Sequence, residues 1–327
     1  MARRVSVFAA LLVALALATV ASLALGAVKV PFSDVIDILL GKGPGGPEQQ
    51  IVEALRLPRT VEAMVVGAAL GIAGAILQGA LGNPLASPDV IGVTGGAGFG
   101  AILIIILFPG SIALLPVGAL FFGLLAATLV FLFAWSGRNR GSVGKVILAG
   151  IAMLSLFTAG TTGLLAAYPE RAPSAIFFIA GGLTSSGWEE LQTIWPYFAV
   201  GFIFALLLIR PLDRLALGDD VAASLGSRPQ LIRLAAGIAA ALLAAASAAI
   251  AGLLGFLGLV VPHVVRMAGG SSSHTFVVPA SAIGGAALLA GADTLARTLR
   301  APIEMPVGPF MVILGVPLFL WLLRKAV

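Results

Sequence analysis

Cysteine is absent from all 327 residues, which excludes disulfides and any thiolate metal site. Histidine occurs twice, as His263 and His274, a poor set from which to build a metal centre. Charge is scarce: Asp, Glu, Lys and Arg make up 10% of the chain, where a soluble domain carries about 25%. Neither a Gly-x-Ser-x-Gly elbow nor a His-Glu-x-x-His run is present, so two common hydrolase signatures are missing. What fills the space is apolar, 60% of all residues. No soluble fold of this size hides that much apolar surface, whereas a bilayer accepts it along helices of about 20 residues. The net charge of +5 comes from basic residues scattered singly between apolar stretches. That spacing lacks the clustered patch that phosphate binding needs, so no nucleic-acid partner is expected.

The composition therefore predicts an all-α integral membrane protein of about ten transmembrane helices, read as one domain over 1–327. The spans are placed at 5–28, 61–82, 90–108, 112–136, 144–168, 191–210, 231–252, 256–270, 276–294 and 307–324, with a loop at 211–229. The first stretch resembles a secretory signal peptide, with Met-Ala-Arg-Arg at its start and Leu25-Gly26-Ala27 at its end. Its uncharged run is longer than an h-region, which favours a retained helix. Phe108-Pro109-Gly110 splits the long stretch between Val90 and Gly137 into two spans. With both termini inside, twelve Lys and Arg fall on the inner side and seven on the outer, the bias that orients membrane proteins. Nine spans would break that parity, so the weak stretch at 256–270 is kept.

Gly67, Gly71 and Gly79, with Ala75 between, recur every four residues on one face of the second span, and Gly92, Gly96 and Gly100 do so on the third. Such faces let helices approach closely in lipid. Residues 172–188 are uncharged but short and interrupted by Gly181-Gly182 and Ser185-Ser186. They read as an outer half-helix, shielded by protein or lining a wet cavity, or else as a plain outer loop.

Three polar features point toward function. The first is Gly82-Asn-Pro-Leu-Ala-Ser-Pro-Asp89, where two prolines make a rigid inner turn. Asn83 and Leu85 are candidates for a constriction at the inner end of a pathway, although any tight helix hairpin looks similar. The second is the inner loop, in which Leu217-Gly218-Asp219 starts a short helix with an acidic cap, Val221, Ala222 and Leu225 give an apolar stripe, and Gly226 ends it. Such a helix docks on a partner or lies on lipid, and its acidic start, with Asp220 beside Asp219, favours docking over anionic headgroups. The third is a set of outward arginines, Arg56 and Arg59 before the second span and Arg297 and Arg300 after the ninth. They either pair with acidic patches of an external protein or snorkel to headgroups. His263, Asp293 and Glu304 lie near span ends, where water or a salt bridge is reachable.

With these residues in view, the chain resembles the FecCD-type permease subunits of ABC importers for iron–siderophores, haem and vitamin B12. The matching segments are Arg56-Leu-Pro-Arg59, Gly74-Ala-Ile-Leu-Gln-Gly79, Asn83-Pro-Leu-Ala-Ser-Pro88, Leu217-Gly-Asp-Asp-Val-Ala-Ala-Ser-Leu-Gly226, Gly255-Phe-Leu-Gly-Leu-Val-Val-Pro-His263 with Arg266, Ala292-Asp-Thr-Leu-Ala-Arg297 and Glu304-Met-Pro-Val-Gly308. They cover nearly the whole chain in family order. The resemblance implies a type II importer bundle with cytoplasmic termini in a bacterial inner membrane. It also implies a second permease copy, identical or a paralogue, with the path between the two. Two cytoplasmic ATPase subunits would carry the ATP and Mg, the permease itself binding no cofactor and performing no catalysis. A periplasmic or lipid-anchored substrate-binding protein would deliver the chelate. By the same resemblance, Leu217 to Gly226 would dock in the ATPase cleft and Arg56, Arg59 and Arg297 would pair with glutamates of the binding protein. Asn83, Leu85 and Ser142 would form the inner gate. The principal competing reading is a transporter coupled to an ion gradient, which would place charged groups near midspan. A membrane protein of structural or assembly role is the other.

Overall fold

The computed structural model describes residues 1–43, 45–136, 142–183 and 187–326, without the side chains of 112, 318, 319 and 321–326. Arg138 and Arg140 of the inner orientation count, and Ser185 and Ser186 of the interrupted stretch, lie outside the described residues. Among the described residues every regular element is a helix. In chain order these are α1 (Ala2–Ala24), α2 (Phe32–Leu39) and α3 (Pro47–Gln50), which runs through a π-helical turn at Ile51–Arg56 into α4 (Leu57–Leu81). There follow α5 (Val93–Leu107), α6 (Leu115–Ala134), α7 (Val143–Ala167), α8 (Ala172–Ala180), α9 (Trp188–Leu215), α10 (Asp219–Ser224), α11 (Pro229–Ala251), α12 (Leu257–Gly269), α13 (His274–Thr298) and α14 (Val307–Ala326).

Seven of these runs are long and apolar enough to cross a membrane: α1, α3–α4 taken together, α6, α7, α9, α11 and α13. The shorter apolar helices α5, α12 and the Val307–Pro317 part of α14 occupy the remaining apolar stretches of the sequence. The ends follow local chemistry. Proline sits in the first turn of α4, α6 and α11, where no intrahelical N–H is needed. α4 stops at Gly82, whose φ of 57° a side chain resists. Two boundaries differ clearly from expectation: the run into α4 begins at Pro47 rather than at 61, and α9 continues through Pro211 to Leu215, because Leu212 and Leu215 are buried and hold that turn on the bundle. The inner loop therefore starts after Leu215 rather than at 211.

Burial sorts the helices into a centre and a rim. In α4, 78% of the apolar window is buried, and in α11 72%, against 17% in both α1 and α7. The centre closes because small residues meet backbone. A Cβ on Gly67 would lie 2.3 Å from the Gly285 carbonyl oxygen of α13, and one on Gly71 2.3 Å from that of Ser281. On α5, Gly96 and Gly100 meet the Phe122 and Gly118 carbonyls of α6 in the same way. Apolar attraction between helices is weak in lipid, so close van der Waals packing supplies the association. The half-helix α8 ends at Gly181, and its backbone is satisfied by protein: Gly182 N–H donates to Ala251 O at 2.9 Å and Gly308 N–H to Gly181 O at 3.2 Å. Irregular backbone at membrane depth is tolerated only under such cover.

The α4–α13 contact yields a stability test. Gly67→Ala should destabilise the bundle by about 1–3 kcal/mol, since backbone cannot yield as a flexible side chain does. Gly291→Ala, on the same α13 but with open space around its Cβ position, should leave stability unchanged or raise it by up to about 1 kcal/mol through helix propensity. Thermal unfolding of the two variants in detergent separates these outcomes.

Candidate functional site

The end of the bundle that the sequence reading places inside is built around α10. Gly218, at φ 100°, turns the chain out of α9, and Asp219 and Asp220 open the new helix, where negative charge suits the helix dipole. Leu217, Val221 and Leu225 are exposed at 60%, 46% and 55%, whereas Ala222 is fully buried. The sequence put Ala222 on the outward stripe; it is instead the small residue that seats α10 on the bundle, and Leu217 takes its place on the exposed face. Gly226 ends the helix at φ 77°. Asp219 accepts two hydrogen bonds from Arg233 of α11, each 2.8 Å, and the Nε–H of the same arginine donates to Ala80 O of α4 at 3.1 Å.

Three residues after Ala80 comes the inner turn. Asn83 Oδ1 accepts from Leu85 N–H at 2.9 Å and Asn83 O from Ala86 N–H at 3.1 Å, so the Asn83 side chain shapes its own turn. Leu85 projects, 41% exposed. Asp89, beneath the turn, accepts from Thr94; desolvation pushes its carboxyl pKa up, against hydrogen bonds from Thr94 and Ser87 that pull it down. Ser142 caps α7, accepting from Lys145 N–H at 3.4 Å. On the opposite side of the loop, Asp213 of α9 caps α13, accepting from the His274 backbone N–H at 2.6 Å and facing its Nδ1 at 2.9 Å. The His274 ring packs on α4, where a Cβ on Gly79 would lie 1.9 Å from Nε2. Arg266, counted with the inner loops in the sequence, lies within α12 and donates to Gln78 and Ala75 O of α4.

At the opposite end of the bundle the expected docking arginines are inside the protein. Arg56, Arg59 and Arg297 are buried. Arg59 of α4 grips Asp293 of α13 through Nη2 at 2.8 Å and Nε at 3.1 Å, and its Nη1 donates to Glu304 at 2.8 Å. Arg297 lies 3.5 Å from Asp293 and donates to Ser22 of α1. Arg56 donates to the carbonyls of Leu23, Ala24 and Val28, tying the end of α1 to α4. The cause is the cost of a bare cation at apolar depth: each guanidinium takes whatever carboxylate or carbonyl the packed helices offer. Only Glu304, with its side chain 44% exposed, faces water. Nearby, α4, α8, α9 and α11 enclose an outer cavity of about 700 Å³ whose lining includes Glu62, Glu170, Arg171, Phe177, Glu189 and Glu190.

The turn at 82–89 and a short helix opening at Asp219 lie where the sequence reading places them. The sequence missed Arg233, Asp213 and His274, whose partners are far away in the chain and leave no local motif. The arginine cluster gives its own test. Asp293→Ala should cost about 3–5 kcal/mol by leaving Arg297 without its carboxylate and Arg59 with Glu304 alone, while the double change Arg59→Met with Asp293→Leu should recover part of that loss. Denaturation curves in detergent compare the two.

Comparison with known proteins follows the same lines. The profile of the FecCD transport family matches residues 13–325. The Fe(3+)-citrate import system permease protein YfmE of Bacillus subtilis is 35% identical over 315 residues, covering 96% of this chain and 93% of that protein. The hemin transport system permease protein HmuU of Yersinia pestis is 40% identical over 278 residues, covering 83% and 82%. Among solved structures, a metal-chelate type ABC transporter in an inward-facing conformation shares 31% identity at a TM-score of 0.86, covering 98% of this chain and 99% of that one.

Proposed function

This chain belongs to the FecCD transport family, and from that premise we propose that it is the permease subunit of an ATP-binding-cassette importer for an iron chelate. An iron–siderophore is the first expectation, with haem or vitamin B12 as the other family cargoes. On this reading the whole chain is one permease domain of ten spans, with both termini cytoplasmic, in a bacterial inner membrane. A second copy or a paralogue completes the pathway, two ATPase subunits bind the ATP and Mg, and an external binding protein delivers the chelate.

The observation that carries the reading is α10, whose exposed Leu217, Val221 and Leu225 follow an acidic start on the inner face of the bundle. An apolar helical face held on a buried Ala222 is suited to a groove in a cytoplasmic motor. The face of α7 supports a path between two copies. Ser155, Thr158 and Thr162 are exposed on a helix that is little buried, a stripe of hydroxyls better matched to another bundle or water than to lipid. The inner gate is assigned to Asn83 and Leu85, with Ser142 positioning the start of α7. Alternating access follows: nucleotide binding shifts the docked loops, and the pathway changes the side to which it opens.

Docking of the binding protein needs one refinement. Arg56 and Arg297 are committed to partners within the chain, but Arg59 holds Glu304 at the water-facing edge. A glutamate from outside would displace Glu304 and take its place on Nη1. Glu304→Gln should therefore tighten binding-protein affinity in a salt-sensitive way, measured by surface plasmon resonance on nanodiscs; unchanged affinity would remove Arg59 from the interface. Uptake itself is expected to require internal ATP and the ATPase subunits in reconstituted vesicles. Uptake by the purified permease alone under a proton gradient would sink the assignment in favour of the ion-coupled reading.

A further inference from the structure

We propose that Arg233 is a mechanical relay that couples movement of α10 to the inner turn at Asn83–Leu85, with Asp213–His274 as a parallel brace. The inference rests on the reading of α10 as the motor dock and of that turn as the gate. Arg233 makes a two-pronged contact with Asp219, the first residue of α10, at 2.8 Å on each prong. Its remaining Nε–H donates to Ala80 O in the last turn of α4. That carbonyl is one of the four at a helix end that lack an intrahelical partner. The guanidinium therefore joins the negative end of α4 to the acidic start of α10; the dipole of α4 favours the cation at its carboxyl end, and that of α10 favours the Asp219 carboxylate. A fork of this kind is directional: it fixes angle as well as distance, so α10 cannot turn or slide without drawing on α4 or breaking the contact.

The second connection reaches the neighbouring residue of α4 from the last turn of α9, just before the loop. Asp213, just before α10, holds His274 by backbone and ring, and that ring lies against Gly79 with no room for a Cβ. The two acidic residues that flank the turn into α10 are thus linked, one by an arginine and one by a histidine, to the consecutive residues Gly79 and Ala80. From there Gly82, in a left-handed conformation, leads directly into Asn83. A structural role alone would have been met by one cap on α4. Two contacts converging from the residues on either side of the turn into α10 make the last turn of α4 move with it.

The absence of cysteine makes the test direct. A Leu85→Cys permease, assembled with its ATPase subunits and binding protein in vesicles, is labelled from the inner side with a membrane-impermeant maleimide, with and without ATP. In the Leu85→Cys background we expect labelling to change with nucleotide. Adding Arg233→Gln should abolish that change and lower uptake by about five- to a hundredfold, the usual span of coupling between linked sites, while the ATPase subunits still co-purify. Arg233→Lys, which keeps the charge but loses the fork, should fall between the two and serves if Arg233→Gln fails to fold. Normal uptake in Arg233→Gln, or retained nucleotide response at Leu85→Cys, overturns the relay. Loss of ATPase co-purification in Arg233→Gln also overturns it, since the arginine would then hold the dock and transmit nothing. Should Leu85→Cys be indifferent to nucleotide with Arg233 intact, the gate assignment itself fails and the relay falls with it.

Discussion

A polar group that enters an apolar bundle must find its partner within the protein, and the pairing of α4 with α13 is where this chain meets that demand most fully. The order of causes matters. Glycines at 67, 71 and 285 first bring the two backbones into contact, and only then can the Arg59 side chain reach Asp293. The ion pair adds little net stability over a well-packed apolar pair, because two charges had to be desolvated. What it adds is register. Sliding α13 by one turn, about 5.4 Å, would keep a glycine-rich face in contact but separate Arg59 from Asp293 and strand both. Packing associates the helices, and the charges select one alignment.

That division explains which parts of the fold were legible from the residues. Apolar length, small-residue periodicity and the acid-capped start at Asp219 are local properties, so the long apolar helices, the close-packed faces and α10 could be read from neighbouring positions, whereas α2 and α3 were not foreseen and residues 172–188 admit both a half-helix and a loop. Partnerships across the bundle could not. Arg59 and Asp293 are 234 positions apart, and Arg59 and Glu304 are 245. The one local sign was arginine on the side of the membrane that usually has few. It admitted an external protein or lipid headgroups, and a carboxylate brought in by another helix becomes visible only with the topology. The misplaced Ala222 has a related cause: a three-residue apolar stripe has two flanks, and which one faces the bundle depends on elements outside the stripe.

The same contacts define how α4 can move. Its outer end is held by Arg59 on Asp293 and by Arg56 on three carbonyls at the end of α1. Its inner end is held by Arg233 and His274, both of which lead to the docking loop. A helix of 25 residues is about 37 Å long at 1.5 Å per residue. Pivoting at the outer cluster, a 2 Å displacement of the inner end is a tilt of only about 3° over that length. Between the two ends, Gly67, Gly71 and Gly74 meet backbone, but Leu70, Ile76 and Leu77 are buried in the core and Gln78 is bonded to α12, so a tilt must carry those neighbours with it. Charge is thus concentrated at the two ends of α4, fixed to the bundle at one and to the loop at the other. On the proposed reading of α10 as the dock, a motor would need to move the loop by only a few ångströms for α4 to carry the displacement to Asn83 and Leu85.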